Sequence, residues 1–342
     1  SCARRAALTH SRGTPLRSIF RAPMYTRCAQ ARTTGAAKKI QELRLMTAIK
    51  TPYQPNGEID LKAFDRHCEH QLANGVEALI IGGTTGEGHL FSWEEHIMLI
   101  AHTKYTFGDA VVVVGNTGSN STNEVVHATK QGFAVGMDCS LQINPYYGKT
   151  SDSGIVKHIK AGMDFGPAII YNVPGRTAQD IEPPMMEKLA RHPNFVGVKE
   201  CAGLERISQY TDAGMAVWSG NDDDMHEARH RCGARGSISV ASNIVPGIYR
   251  DLLFGERNDE LNDSLNPLFT WLFKEPNPIG VNTLLMQLDM AQPIFRLPYT
   301  HLDRAMREEG ARIVEAIGIE NIPNGDKLRV MNDPEFVHLA EW

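Results

Sequence analysis

Short apolar runs recur along this chain at a steady interval: 45–49, 78–81, 111–114, 140–143, 168–170, 195–198, 216–218 and 237–240. Their starts lie roughly 20–35 residues apart, the length of one strand plus one helix. The runs are continuously apolar, which predicts strands buried on both faces of a parallel sheet. Helical periodicity fills the gaps, as at 60–74, 93–107 and 183–191. Every run ends in polar or glycine-rich sequence, among them Lys50-Thr51-Pro52, Gly83-Thr84-Thr85, Asn144-Pro145-Tyr146-Tyr147, Tyr171-Asn172, Lys199-Glu200 and Ser219-Gly220-Asn221. Eight parallel strands with chemistry at their C-terminal ends predict an α/β fold, a (β/α)8 TIM barrel. An open doubly wound sheet is the alternative, but it concentrates function at one crevice.

After about residue 259 the strand rhythm stops. Segments 261–274, 278–290 and 300–317 carry helical periodicity, and the last two dozen residues read as an irregular tail. The expected organisation is a leader over 1–42, a catalytic barrel over 43–259 and a C-terminal helical region with its tail over 260–342.

Charge separates the leader from the rest. Residues 1–41 hold seven Arg, Lys38 and Lys39 and no acidic residue, so their charge is +9. The whole chain is −5, which leaves −14 on residues 42–342. An acidic body disfavours nucleic-acid binding. The Arg-, Ser- and Ala-rich leader has the composition of an organelle transit peptide, with a basic arm that contacts a partner as the alternative. No apolar stretch approaches the ~20 residues of a membrane span. Six cysteines are scattered without a C-x-x-C pair, which points to reduced thiols rather than disulfides or a metal centre.

The chemistry is carried by strand ends. Phe195-Val196-Gly197-Val198 runs into Lys199, and an amine held among apolar strands favours its neutral, nucleophilic form. Such an amine attacks an α-keto acid to give a carbinolamine and then an iminium, an electron sink that turns the methyl group into an enamine. A lysine paired with Glu200 is the bland alternative. Tyr171 ends the preceding strand, where its phenol can move protons. Arg176 follows in a Pro-Gly turn and suits a carboxylate. The turn Gly82-Gly83-Thr84-Thr85-Gly86-Glu87 offers backbone N–H groups and hydroxyls to an anion.

One motif points elsewhere. His226-Glu227-Ala228-Arg229-His230 matches H-E-x-x-H, a zinc-hydrolase signature. It follows Asn221-Asp222-Asp223-Asp224, which reads as a helix cap with an acidic first turn, so it is expected on the helix after strand seven, outside the barrel. No metal is expected there.

The blocks Gly83–Glu87, Pro145-Tyr146-Tyr147, Tyr171–Thr177, Gly197-Val198-Lys199-Glu200 and Glu275-Pro276-Asn277-Pro278-Ile279 occur in the order of the dihydrodipicolinate synthase family, which this chain resembles from about residue 43 to about 320. Gly86-Glu87-Gly88 followed by Ser92-Trp93 resembles the plant or algal branch, in keeping with a plastid leader and the chloroplast stroma.

The resemblance implies a lyase that condenses pyruvate with L-aspartate 4-semialdehyde, the entry step of lysine biosynthesis by the diaminopimelate route, without metal or organic cofactor. Lys199 would form the Schiff base, and Tyr171, Thr85 and Tyr147 would relay protons, Tyr147 reaching in from a neighbouring subunit. Thr84 and Thr85 would hold the pyruvate carboxylate and Arg176 that of the semialdehyde, with Gly220 and Ile238 lining the pocket. The resemblance also implies a homotetramer, a dimer of dimers, inhibited by L-lysine at an interface site of Trp93, His96, Asn120, Glu124 and Tyr146. His89 departs from the plant pattern. The same barrel, lysine and tyrosine would serve an N-acetylneuraminate lyase-like aldolase. A silent anion-binding barrel is the reading from another class.

Overall fold

The structure, a computed structural model, describes residues 35–108 and 110–342. The leader as far as residue 34 lies outside the described residues, as do Cys2 and Cys28. Eight parallel strands close into a barrel: β1 Leu45–Ala48, β2 Ala78–Ile81, β3 Val112–Asn116, β4 Cys139–Ile143, β5 Ala168–Asn172, β6 Phe195–Glu200, β7 Val217–Ser219 and β8 Gly236–Ser239, with β8 returning to β1. Each expected run contributes one strand.

Helices alternate with the strands. Leu61–Ala73 opens on Asp60, whose carboxylate accepts from Ala63 N. Trp93–Phe107 opens on a capping box in which Ser92 and Glu95 satisfy each other's backbone N–H groups. Inside the barrel, Met46, Ile80, Val114, Leu141, Ile169, Val196, Trp218 and Ile238 form the core. The outward faces bury Ile170, Val198 and Val217 against the helical ring.

Strand β6 carries an irregularity that positions the site. Ala168 pairs with Phe195 but Ile169 pairs with Gly197, so Val196 is an extra residue in the ladder. A strict two-residue alternation from outward Phe195 would turn Lys199 outward as well. The bulge resets the alternation and brings Lys199 opposite the inward-facing Tyr171. Gly197 permits it: a Cβ there would stand 2.4 Å from the Ala216 carbonyl oxygen and 2.7 Å from the Trp218 ring.

Two segments expected to lie outside the fold are part of it. Residues 35–41, grouped by charge with the leader, form the helix Gly35–Gln41; its Ala37 and Ile40 join the barrel's interior core, and Gln41 donates to the Val196 carbonyl at 2.7 Å. The helix is two turns long, too short for periodicity to register. The expected tail is also anchored. Beyond the helices Asp259–Leu272, Ile279–Gln287 and Arg304–Ile317, strand β10 (Val337–Leu339) pairs in parallel with β9 (Ile294–Arg296), and Met331 and Phe336 are buried against Met286 and Phe295. Among the described residues no helix is long and apolar enough to cross a membrane.

Candidate active site

A cavity of about 590 Å³ opens at the C-terminal end of the barrel. Lys199 projects into it from β6 and is only 6% exposed. Its Nζ lies 4.5 Å from the centroid of the Tyr171 ring. Burial lowers the Lys199 pKa, and the Arg176 charge adds to the effect, against the opposing pull of Cys201 and Asp222. No carboxylate forms an ion pair with it among the described residues. Glu200 is not its partner, because adjacent strand residues face opposite ways. The Glu200 carboxylate instead accepts from Asn172 Nδ2 at 3.0 and 3.1 Å and from Ala202 N at 2.7 Å, and burial pushes its pKa up to about 7.

Lys50, at the end of β1, makes an instructive contrast. It is as buried as Lys199, but its ammonium pairs with Glu87. Glu87 also accepts from Tyr53 Oη at 3.0 Å and from Asn282 Nδ2. Burial lowers the Lys50 pKa too, with the Glu87 carboxylate opposing it, but an amine tied up in a buried ion pair is a poor nucleophile. Of the two strand-end lysines, only Lys199 has an amine free for covalent chemistry.

Around Lys199 the structure gathers Tyr171, Thr84, Thr85, Arg176 and Gly220 along the cavity wall. Burial holds the Tyr171 hydroxyl protonated, well above its ordinary pKa, and Cys201 and Thr84 are its hydrogen-bonding neighbours. Thr85 Oγ1 accepts from Asn277 Nδ2 at 3.0 Å, and Arg176 Nη2 donates to the Asn277 carbonyl at 3.0 Å. Asn277 thus ties the anion-binding turn to the arginine from a position 192 residues further along the chain. Ile238 is fully buried in the barrel core; the neighbouring wall of the cavity is Val240.

The same cavity extends past Gly88 and His89 to Trp93, His96, Glu124 and Tyr146. His96 stacks on Trp93 at 5.5 Å, and burial lowers its pKa to about 4. Its buried Nε2 has no hydrogen-bond partner among the described residues. Glu124 accepts a hydrogen bond from Ser119, another residue of the lining. Asn120 is exposed and is not part of the lining; its Oδ1 accepts from Tyr146 N at 2.8 Å and Tyr147 N at 2.9 Å. His89 meets Tyr299, whose hydroxyl is 2.8 Å from the His89 Nε2. Tyr147 is not in the cavity of its own chain; its side chain is 91% exposed.

The H-E-x-x-H segment lies on the helix Met225–His230, after β7 as expected. His226, Glu227 and Asp259 bring donor atoms within 4.8 Å of one another, and His230 is not among them. Each donor is engaged: His226 Nε2 accepts from Asn258 N, Glu227 binds Arg231 and Arg257, and Asp259 binds Arg257. The preceding acidic run is not a side-chain cap. Asp224 occupies the cap position, but its carboxylate turns back to Ser219 and Asn221. Asp222 is buried, accepting from Ser239 Oγ at 2.6 Å and Ala241 N at 2.8 Å.

Comparison with known proteins agrees with this geometry. The chain is 54% identical over 316 residues to the chloroplastic 4-hydroxy-tetrahydrodipicolinate synthase 1 of Triticum aestivum, covering 92% of this chain and 81% of that protein. Its fold is similar to that of the chloride-inhibited dihydrodipicolinate synthase of Acinetobacter baumannii complexed with pyruvate. That match has a TM-score of 0.77 and 32% identity over 81% of this chain and 99% of the other. It is similar also to the enzyme of Cyanidioschyzon merolae with lysine bound, with a TM-score of 0.76 and 29% identity over 81% and 99%. Residues 41–317 match one family across all eight barrel strands and the C-terminal helices, and the match stops short of β10. The chain belongs to the Dihydrodipicolinate synthetase family.

Proposed function

We propose that this protein is a 4-hydroxy-tetrahydrodipicolinate synthase, a lyase of lysine biosynthesis working in the chloroplast. It condenses pyruvate with L-aspartate 4-semialdehyde. The observation that carries the assignment is the buried, unpaired amine of Lys199 beside Tyr171 in the barrel-top cavity.

Pyruvate enters with its carboxylate on the Thr84–Thr85 turn. Lys199 Nζ adds to the keto carbon, Tyr171 supplies a proton to the oxygen, and water leaves to give an iminium. The methyl group loses a proton and becomes an enamine, whose carbon attacks the aldehyde of the second substrate while Arg176 grips that substrate's carboxylate. The substrate's own amino group then attacks the iminium carbon. The ring closes and Lys199 is released, so the chain itself supplies the electron sink and no organic cofactor is needed.

Thr85 and Tyr147 complete the proton relay with Tyr171. The exposure of Tyr147 beside the cavity rim supports its entry into a neighbouring subunit's site in a tight dimer, two of which make the tetramer. L-Lysine is the inhibitor at the Trp93 end. Glu124 suits its ammonium, the Trp93 face its aliphatic stem, and Tyr146 adjoins the relay residue Tyr147.

Borohydride trapping tests the assignment. Incubation with pyruvate and borohydride places one reduced pyruvyl group on Lys199 and none on Lys50. A label on another residue, or none, overturns it.

A further inference from the structure

We infer that residues 337–342 form a strap that holds Arg296, and that Arg296 in turn positions the helix carrying Trp93 and, through Tyr53 and Glu87, the turn that precedes it. The inference deepens the lysine-inhibited synthase reading and rests on it for its ligand. Arg296 is a fully buried arginine far from the catalytic lysine in sequence, and the chemistry proposed above does not use it.

The strap is built from a strand and a ring. In the β9–β10 ladder Arg296 is opposite Leu339, and Leu297 N donates to the Leu339 carbonyl at 2.9 Å. Three residues on, Trp342 packs on Gly57 and lays its indole 4.7 Å from the Arg296 guanidinium carbon. On the guanidinium's other sides are the Tyr53 ring at 4.4 Å and the Phe91 ring at 5.8 Å. Its Nε and Nη2 both donate to the Gly57 carbonyl, at 3.1 and 2.8 Å. The group is enclosed by aromatic faces and has one direction left for its charge.

That direction is Glu95. Arg296 Nη1 donates to Glu95 Oε2 at 3.1 Å and Nη2 to Oε1, a bidentate pair. Glu95 is also the capping-box acid that accepts from Ser92 N at 3.1 Å, so Arg296 fixes the first turn of the helix carrying Trp93 and His96. The second path runs through Tyr53. Its ring packs on Arg296, and its hydroxyl donates to Glu87, the residue that closes the Thr84–Thr85 turn. One guanidinium therefore holds the first turn of the Trp93 helix and, through Tyr53 and Glu87, reaches the Thr84–Thr85 turn that precedes it. That guanidinium keeps its place only while Trp342 and β10 cover it. Arg296 is thus a positioning residue.

Trp342 is 48% exposed and makes no contact with the cavity, so Trp342→Ala removes the cover with little loss of core. We expect it to raise hydrogen exchange of backbone amides 84–96 and the half-inhibitory lysine concentration by about tenfold, a coupling of about 1.4 kcal/mol. Pyruvate trapping at Lys199 should change less than about twofold, because Glu87 behind the Thr84–Thr85 turn is also held by Lys50 and Asn282. A chain ending at residue 336 should act in the same sense and more strongly, and Glu95→Gln should add little on top of Trp342→Ala because both break one path. A lowered melting temperature with unchanged exchange at 84–96 and unchanged lysine response reduces the strap to a stability element and overturns the inference. Raised exchange at 84–96 in a protein that lysine does not inhibit upholds the positioning role and refutes the lysine reading.

Discussion

Lys199 and Tyr171 are directly opposite one another on adjacent parallel strands, with the amine 4.5 Å from the centre of the phenol ring. Register alone sets this juxtaposition, and burial acts on both partners in the useful direction, favouring a neutral amine and a protonated phenol. Tyr171→Phe keeps the ring and removes the proton. Turnover should fall by roughly 10²–10⁴-fold, the range for a lost acid–base group. The melting temperature should hold, because the packing is unchanged. A variant that keeps its turnover would remove Tyr171 from the relay.

Gly220 sets how much room the lysine has. A Cβ at this position would stand 2.8 Å from Lys199 Cε and 2.4 Å from Cys201 Sγ. Gly220→Ala therefore pushes the lysine stem away from Tyr171. A displacement on the ångström scale costs on the order of 10²-fold in rate. The rate of borohydride-trapped adduct formation measures this without the second substrate. Trapping at the unaltered rate would show that the neighbouring thiol moves instead.

What the sequence disclosed and withheld follows from how local each signal is. Strand spacing and apolar runs made the barrel readable, and strand ends pointed to Lys199, Tyr171 and the Thr84–Thr85 turn. The same signal fires at Lys50, which also ends an apolar run; only Glu87, 37 residues away, separates the paired lysine from the free one. The bulge in β6 was not readable, because an extra residue in a ladder leaves no mark in a run as apolar as Phe195-Val196-Gly197-Val198. Asn277 was visible only inside a resembling block, since its bond to Thr85 is a tertiary contact. The strap residues looked like a tail because β10 is three residues long and pairs across more than 40 positions.

Tyr147 tests the cross-subunit reading. Its phenol is exposed on its own chain, whereas Lys199 is enclosed. Tyr147→Phe and Lys199→Ala proteins should each be nearly inactive. Mixed and allowed to exchange subunits, they should regain activity, because half of the sites in a hybrid dimer combine an intact lysine with an intact partner tyrosine. Hybrids shown to form yet remaining inactive would place Tyr147 in its own subunit's relay.

Glu124 carries the charge at the lysine end of the cavity. Glu124→Ala should raise the half-inhibitory lysine concentration by on the order of 30-fold, about 2 kcal/mol for a lost charge-assisted contact, and leave synthase turnover nearly unchanged. Inhibition curves at several pyruvate concentrations check it. Unchanged inhibition in the variant, or strict competition with pyruvate in the unaltered protein, would move lysine to another site.

Stability should fall on mild acidification, and His67 supplies an identifiable part of the fall. It is buried on the helix Leu61–Ala73, with Nε2 2.9 Å from Asn243 Oδ1 and Nδ1 without a partner among the described residues. Burial lowers its pKa from 6.5 to about 4. The unfolded chain therefore takes up a proton below about pH 6.5, while the folded chain resists until about pH 4. Protons bind the unfolded state preferentially across that window, so the contribution is intact above it and is lost as the pH falls through it. From about pH 7 to about pH 5 the loss from this residue is about 2 kcal/mol. His67→Gln keeps a donor for Asn243 and does not titrate. Urea unfolding of the two proteins at both pH values gives the comparison. The variant should lose less stability on acidification by about that amount, and an equal loss in both would mean that His67 is already protonated in the fold.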